Sequence, residues 1–193
     1  VGVPPDVALA LRPRFALGIG GNTAIFSVVD QVLLRPLPYP GGDELVTIYE
    51  AGRMSRGHFS VSPANWLDWQ RQSRTFSGFA AWRTAAFTLT GAGEPLRVNA
   101  QLVSAEFFPV LGVSPLLGRT ISEQDDRPNA PPVALLSYEL WQRRFASDPN
   151  TIGRTAQLND RPVEIIGVMP AGFRFIYQDN DVWSASQLDR NED

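Results

Sequence analysis

The chain has no cysteine and a single histidine among its 193 residues. The first absence excludes disulfides, thiolate metal sites and cysteine nucleophiles, and it leaves the compartment open because many exported proteins need no bridges. The second is as restrictive. His58 has no second histidine to share a metal, and the G-x-S-x-G elbow that would mark a Ser-His-Asp nucleophile is missing. Beside Arg53, Arg56 and Gly57 it reads as an ordinary loop residue. An excess of positive charge is also lacking, since 17 basic and 20 acidic residues give a net charge of −3. No basic field exists to hold nucleic acid, and no nucleic-acid partner is expected. The glycine-rich run Gly18-Ile19-Gly20-Gly21-Asn22-Thr23 lacks the lysine and spacing of a phosphate-binding loop, so this polypeptide carries no ATPase site. Its small residues suit close helix packing instead. The acidic group Glu123-Gln124-Asp125-Asp126 lacks the alternating oxygen ligands and central glycine of a calcium loop and reads as a solvated loop or helix start. No catalytic residue, metal ligand or cofactor-binding position can be assembled. An extracytoplasmic hydrolase would need a convergent set that the sequence does not offer, and the chain is not expected to be an enzyme.

What is present begins with residues 15–34, FALGIGGNTAIFSVVDQVLL, a mostly apolar stretch without lysine or arginine. Crossing a bilayer takes about 20 such residues. Asn22, Asp30 and Gln31 interrupt the run, but Asp30 sits near its far end, where it can reach the headgroups. Residues 15–36 are therefore a candidate transmembrane helix. Arg12 and Arg14 place residues 1–14 in the cytoplasm and everything after Pro36 outside. The competing reading is a buried amphipathic helix of a soluble domain.

The remainder, with 44% hydrophobic residues over the whole chain, has the length of one domain. Residues 45–49, LVTIY, predict a strand. Ser62-Pro63 predicts a helix start, with Trp66, Leu67, Trp69, Phe76 and Phe79 as a core face and Gly78 as a break between two helical pieces. Residues 86–103 predict a hairpin turning at Gly91-Ala92-Gly93. Ser104 is expected to cap a short helix that stops at Gly112. Residues 133–136 predict a buried strand, after which Ser137 caps a helix closed by Asp148-Pro149-Asn150. On that helix Arg143-Arg144 read as the wet face or as charges at the C-terminal end, opposite Leu140, Trp141 and Phe145. Asn159-Asp160 predicts a tight turn between strands 155–158 and 162–169. Residues 188–193, LDRNED, predict a frayed tail. Five tryptophans, Trp66, Trp69, Trp82, Trp141 and Trp183, with 11 phenylalanines, exceed a minimal core. They are read mainly as core, with a surface that grips a protein or an apolar substrate as the alternative.

The ordered motifs ALGIGGNTAIFSVVDQVLLRPLPYP, LVTIYE, SPANWLDWQRQSRTFSGFAAW, SAEFFPVLGVSPLLGRTISEQDD, PVALLSYELWQRRFASDPNTIGRTAQLNDRPVEIIGVMPAGFRF and DVW resemble MacB/FtsX-type ABC transporter permeases, in particular the acidobacterial-type branch with a MacB-like periplasmic core domain. The likeness runs from about Ala16 to Trp183. It implies an α+β, mixed α/β extracytoplasmic domain, a porter-like βαβ part with a smaller inserted α/β part, preceded by an N-terminal transmembrane-type helix. Residues 43–183 would be that periplasmic core domain and 184–193 its tail. It further implies an inner-membrane permease, a homodimer with an ABC ATPase on the cytoplasmic side, and a periplasmic adaptor or an apolar or peptide cargo. Two departures stand out. LRPRF replaces the usual apolar lead-in, and the chain stops at SASQLDRNED where such permeases continue into a further α/β half and more membrane helices. A truncated fragment is the resulting expectation, and a stand-alone soluble or anchored binding module is the alternative function.

Overall fold

The structure, a computed structural model, describes residues 39–51, 58, 59, 61–91, 93–175 and 179–188. The chain divides into two compact units, 1–43 and 44–193. In the first, residues 39–43 form a turn in which the Gly42 amide donates to the Tyr39 carbonyl at 3.0 Å. The candidate membrane helix, with Asn22, Asp30, Gln31 and the flanking Arg12 and Arg14, lies outside the described residues, as do Gly18 to Thr23 and the tail from 189 onward. Among the described residues no helix is long and apolar enough to cross a membrane.

The second unit opens with a two-residue ladder in which β1 (Glu50–Ala51) pairs antiparallel with β2 (His58–Phe59). The strand predicted at 45–49 is not formed. Among the described residues no strand lies beside it, and Val46, Ile48 and Tyr49 are exposed. The pairing starts at Glu50 instead, and His58 lies in a strand, not a loop. Helix α1 (Pro63–Gln72) starts as expected, with Ser62 accepting from the Asn65 amide at 3.3 Å and Pro63 in the first turn. It ends at Gln72, and no second helical piece follows before Gly78.

Beyond it, β3 (Trp82–Thr90) and β4 (Leu96–Val103) form the predicted hairpin, four residues longer at its start. Helix α2 (Phe107–Leu111) stops at Gly112, which takes left-handed angles. Ser104 does not cap it. Its hydroxyl accepts from the Ala81 amide at 3.1 Å, extending the β3–β4 ladder by side chain, and α2 starts without a side-chain cap. Then follow β5 (Leu117–Gly118), β6 (Val133–Leu136), α3 (Tyr138–Phe145), a single 3-10 turn (Pro149–Thr151), β7 (Thr155–Leu158), β8 (Arg161–Val168) and β9 (Val182–Ala185). Ser137 caps α3 through the Leu140 amide at 3.0 Å. Asn159 and Asp160 both take positive φ, 50° and 62°, the geometry a two-residue hairpin turn requires.

Strand order is β5-β8-β6-β9-β4-β3-β7, and β7 also pairs with β8, so the sheet closes on itself. The β4–β9 and β6–β8 pairs are parallel, the others antiparallel. One edge of β8 serves two strands in succession, β7 along Arg161–Glu164 and β5 along Gly167–Val168. The second contact depends on glycine. A Cβ on Gly167 would come within 2.6 Å of the Arg119 carbonyl, and Gly118 opposite it has φ +76°.

Side-chain alternation gives this sheet two separate cores. Leu89, Val98, Ala100, Ala134, Leu136, Val163, Ile165 and Val182 turn inward and pack with Leu140 and Trp141 of α3. The alternate residues Gln101, Val103, Leu135 and Trp183 face the other way and are equally buried. There the cover is aromatic: Phe173 lies 5.2 Å from Trp183, Phe107 4.8 Å from Phe175, and Trp82 5.1 Å from Phe175, ring centre to ring centre. Edge-on contacts of this kind add about 0.5–1.5 kcal/mol per pair beyond area burial.

Candidate functional site

Two of the five tryptophans, Trp141 and Trp183, belong to these cores, and the other three are half-buried. The face of Trp66, Leu67 and Trp69 was expected to be core and is not. Helix α1 has no buried residue, Phe79 is half-buried and Phe76 is exposed. Helical spacing makes one side of α1 apolar, and Trp66, Leu67 and Trp69 on it are half-buried rather than core. Val46, Ile48, Tyr49 and Phe76 leave large apolar side chains exposed in the same region.

This region is held in place from its own N-terminal side. Glu50 of β1 accepts from the Asn65 side chain at 2.6 Å and from the Ser62 amide at 3.1 Å, fastening the start of α1 to the two-stranded ladder. The Asn65 bond first, then the Ser62 bond, hold the Glu50 carboxyl below its ordinary value. The exposed layer is oriented by hydrogen bonds and the ring by packing.

In the acidic group at 123–126, Glu123 and Gln124 are exposed in a turn, as the solvated-loop reading expects, whereas Asp125 and Asp126 are fastenings. Asp125 takes two bonds from Arg119, at 2.6 and 3.0 Å, and two from Ser122, at 2.8 and 2.6 Å. Burial pushes its carboxyl up, but these donors outweigh that and hold it at about 2. Asp126 accepts from the Ala105 amide at 3.1 Å, the Ser186 hydroxyl at 3.0 Å and the Gln187 amide at 2.7 Å. Burial pushes this second carboxyl up against those bonds. One side chain thus ties the start of α2 and the segment after β9 to the same loop. The sequence pattern could not reveal this, because the partners lie 21 and more than 60 residues away.

Arg143 and Arg144 are both engaged. Arg143 pairs with Asp181 at 3.0 Å, and Arg144 donates to the Glu94 carbonyl in the β3–β4 turn, so α3 clamps the hairpin. Beside them a shallow cleft of about 410 Å³ is lined by Gly91, Arg144, Phe145, Asp148, Arg154 and Thr155. Within it Arg154 pairs with Asp148 at 2.7 Å. Among the described residues no group of three or more histidine, cysteine or acidic side chains could hold a metal ion.

A family model described as MacB-like periplasmic core domain matches residues 15–191. No curated protein matches the chain. Among solved structures, the fold is similar to the extracellular domain of the noncanonic ABC-type transporter YknZ from Gram-positive bacteria, at 15% identity and a TM-score of 0.51, covering 65% of this chain and 65% of that one. It is also similar to the periplasmic region of MacB from Actinobacillus actinomycetemcomitans, at 18% identity and a TM-score of 0.54, covering 72% of this chain and 63% of that one. The chain therefore spans less than two thirds of the length of either.

Proposed function

The chain belongs to the family of MacB-like periplasmic core domains, and on that footing we propose that it works as the extracytoplasmic domain of an ABC transporter permease, relaying ATP-driven motion of membrane helices to an exported substrate or a periplasmic partner. The observation that carries this reading is the extent of the family match, from the first residue of the apolar stretch through the closed ring to residue 191. Residues 15–36 would anchor the chain in the inner membrane and 43–183 would stand outside it; the tail expected at 184–193 begins later, since Ser184 and Ala185 complete β9 and Ser186 and Gln187 are fastened to Asp126. An ATPase on the cytoplasmic side would supply the energy, and two permeases would work as a pair. A periplasmic adaptor, or an apolar or peptide cargo, would meet the open face of residues 45–79. The domain would make and break no bonds of its own.

The physics of the fold suits a relay. A sheet closed into a ring and packed on both faces moves as one body, since packed interiors deform little. The layer at 44–79 follows the candidate span in the chain and is held by hydrogen bonds and few buried contacts. Motion entering through the span would reach the exposed apolar face first.

The reading is tested by expressing residues 1–193 in a bacterium, separating membranes from soluble protein, and treating intact spheroplasts with protease. Membrane association with cleavage after Tyr39 from the outside is the expected result. A soluble, protected product would overturn it.

A further inference from the structure

The chain enters and leaves the ring at one place, the end of β4. It enters at Ala81, whose carbonyl accepts from the Ser104 amide at 3.0 Å and whose amide donates to the Ser104 hydroxyl at 3.1 Å. It leaves at Ser186, whose amide donates to the Val103 carbonyl at 2.9 Å. Just before the entry the chain runs close over α2, since a Cβ on Gly78 would come within 2.9 Å of the Val110 side chain. Entry and exit are therefore held by two consecutive residues, and α2 follows directly from them.

One residue at the exit has an unusual backbone. Among the described residues other than glycine, Asn129, Ala146, Ser147, Asn159 and Asp160 take positive φ within turns, which accounts for the angle, whereas Gln187 takes φ 47° outside any turn. A long side chain in the left-handed region is strained, and it persists only where its surroundings hold it. The loop at 122–130 does the holding. Asp126 Oδ1 accepts from the Gln187 amide at 2.7 Å and from the Ser186 hydroxyl at 3.0 Å, while Gln187 Nε2 donates to the carbonyls of Asp125 at 3.1 Å and Ala130 at 2.9 Å. Arg119 braces the loop through Asp125. The other oxygen of the same carboxyl, Asp126 Oδ2, accepts from the Ala105 amide at the foot of α2 at 3.1 Å.

We propose that Asp126 is a catch that couples the chain's exit from the ring to the start of α2. With the catch closed, Gln187 stays left-handed, and a pull on the chain beyond it is borne by the loop and α2 as well as by the β4–β9 ladder. With it open, Gln187 returns to an ordinary backbone angle, Asp126 turns from its place, and the Ala105 amide loses its acceptor. The next residue back is Ser104, which holds the entry at Ala81. Two ends of the chain thus bias one element with two arrangements, which is the physical requirement for coupling between them. The catch rests on the relay reading for its use, since it supplies a route between the ring's two connections, but its test involves neither membrane nor transport.

Amide hydrogen exchange of the full chain reads this coupling. Gln187→Pro cannot take a positive φ and has no N–H for Asp126, so it opens the catch from the exit side, far along the chain from Ala105. The Ala105 amide is expected to exchange at least about tenfold faster in this variant. The Ala81 amide should follow by a smaller factor, with Val98 and Ile165 of the ring at their unmodified rates. Ser186→Ala removes a single hydroxyl donor and should act in the same direction to a lesser extent, which keeps the test decisive if Gln187→Pro loosens the ring. Leu188→Ala is the control, since it alters the exit one residue beyond the catch and should leave Ala105 unmoved. Unchanged Ala105 exchange in both Gln187→Pro and Ser186→Ala, or an equal acceleration in Leu188→Ala, would overturn the coupling. The permease assignment would survive either result, because spheroplast protection decides it separately.

Discussion

Residues 44–81 and 82–188 are built on opposite principles. The first region has one helix without a buried residue and a ladder two residues long. The second closes six of its seven strands into a ring and buries both faces. The sequence patterning is similar in the two, since each carries tryptophan and phenylalanine at regular spacing. What differs is whether another element arrives to cover them. An apolar periodicity states which side of an element avoids water, and only the topology states what lies across from it.

The comparison breaks most sharply at tryptophan. Trp183 is fully buried among Phe108, Phe173 and Gln101, and Trp141 is 7% exposed with its indole N–H donating to the Asp148 carbonyl at 3.0 Å. Trp183→Ala or Trp141→Ala should cost about 3–5 kcal/mol in reversible denaturation. Trp66→Ala and Trp69→Ala, in the exposed layer, should cost less than about 1 kcal/mol. Equal losses in the two regions would mean that α1 is packed after all.

Next in size is the fastening at Asp126. Asp126→Ala strands the Ala105 and Gln187 amides and should cost on the order of 1–3 kcal/mol in the same measurement. The loss would show that the segment after β9 is part of the ring body and not a loose exit.

Two hairpins and two helix starts were legible in the sequence because their chemistry is local. Gly91 and Gly93 turn β3 into β4, Asn159-Asp160 turns β7 into β8, and Ser62 and Ser137 cap the helices that follow them. Closure of the ring was not legible, because it rests on β7 meeting β3 and on β9 entering between β4 and β6, pairings that no local pattern encodes. The segment 45–49 has the composition of a strand, but composition does not decide whether a ladder forms there. The fastening at Asp126 was not legible for the converse reason, since its partners Ala105, Ser186 and Gln187 come from elsewhere in the chain.

Smaller effects sharpen the same division. Asp125 ionises at about 2 in the fold and near 3.9 in an unfolded chain, by the approximate reference value. A depressed carboxyl stabilises the fold above its unfolded value, and that contribution fades as pH falls from about 4 toward 2. Denaturation of the unmodified chain and of Asp125→Asn should therefore converge over that interval and differ at pH 5. Smallest of all, Ser62→Ala should cost α1 about 1 kcal/mol. This loss should appear as faster local exchange of α1 amides, with the global transition unmoved.

Native-state hydrogen exchange read residue by residue tests the division most directly. The expected result is that amides of β4, β6 and β8 exchange only through global unfolding, while those of α1 exchange through local opening at much lower free energy. Protection of α1 equal to that of β4 would contradict the account, since it would make residues 44–81 part of the rigid body and leave no exposed layer to receive a partner.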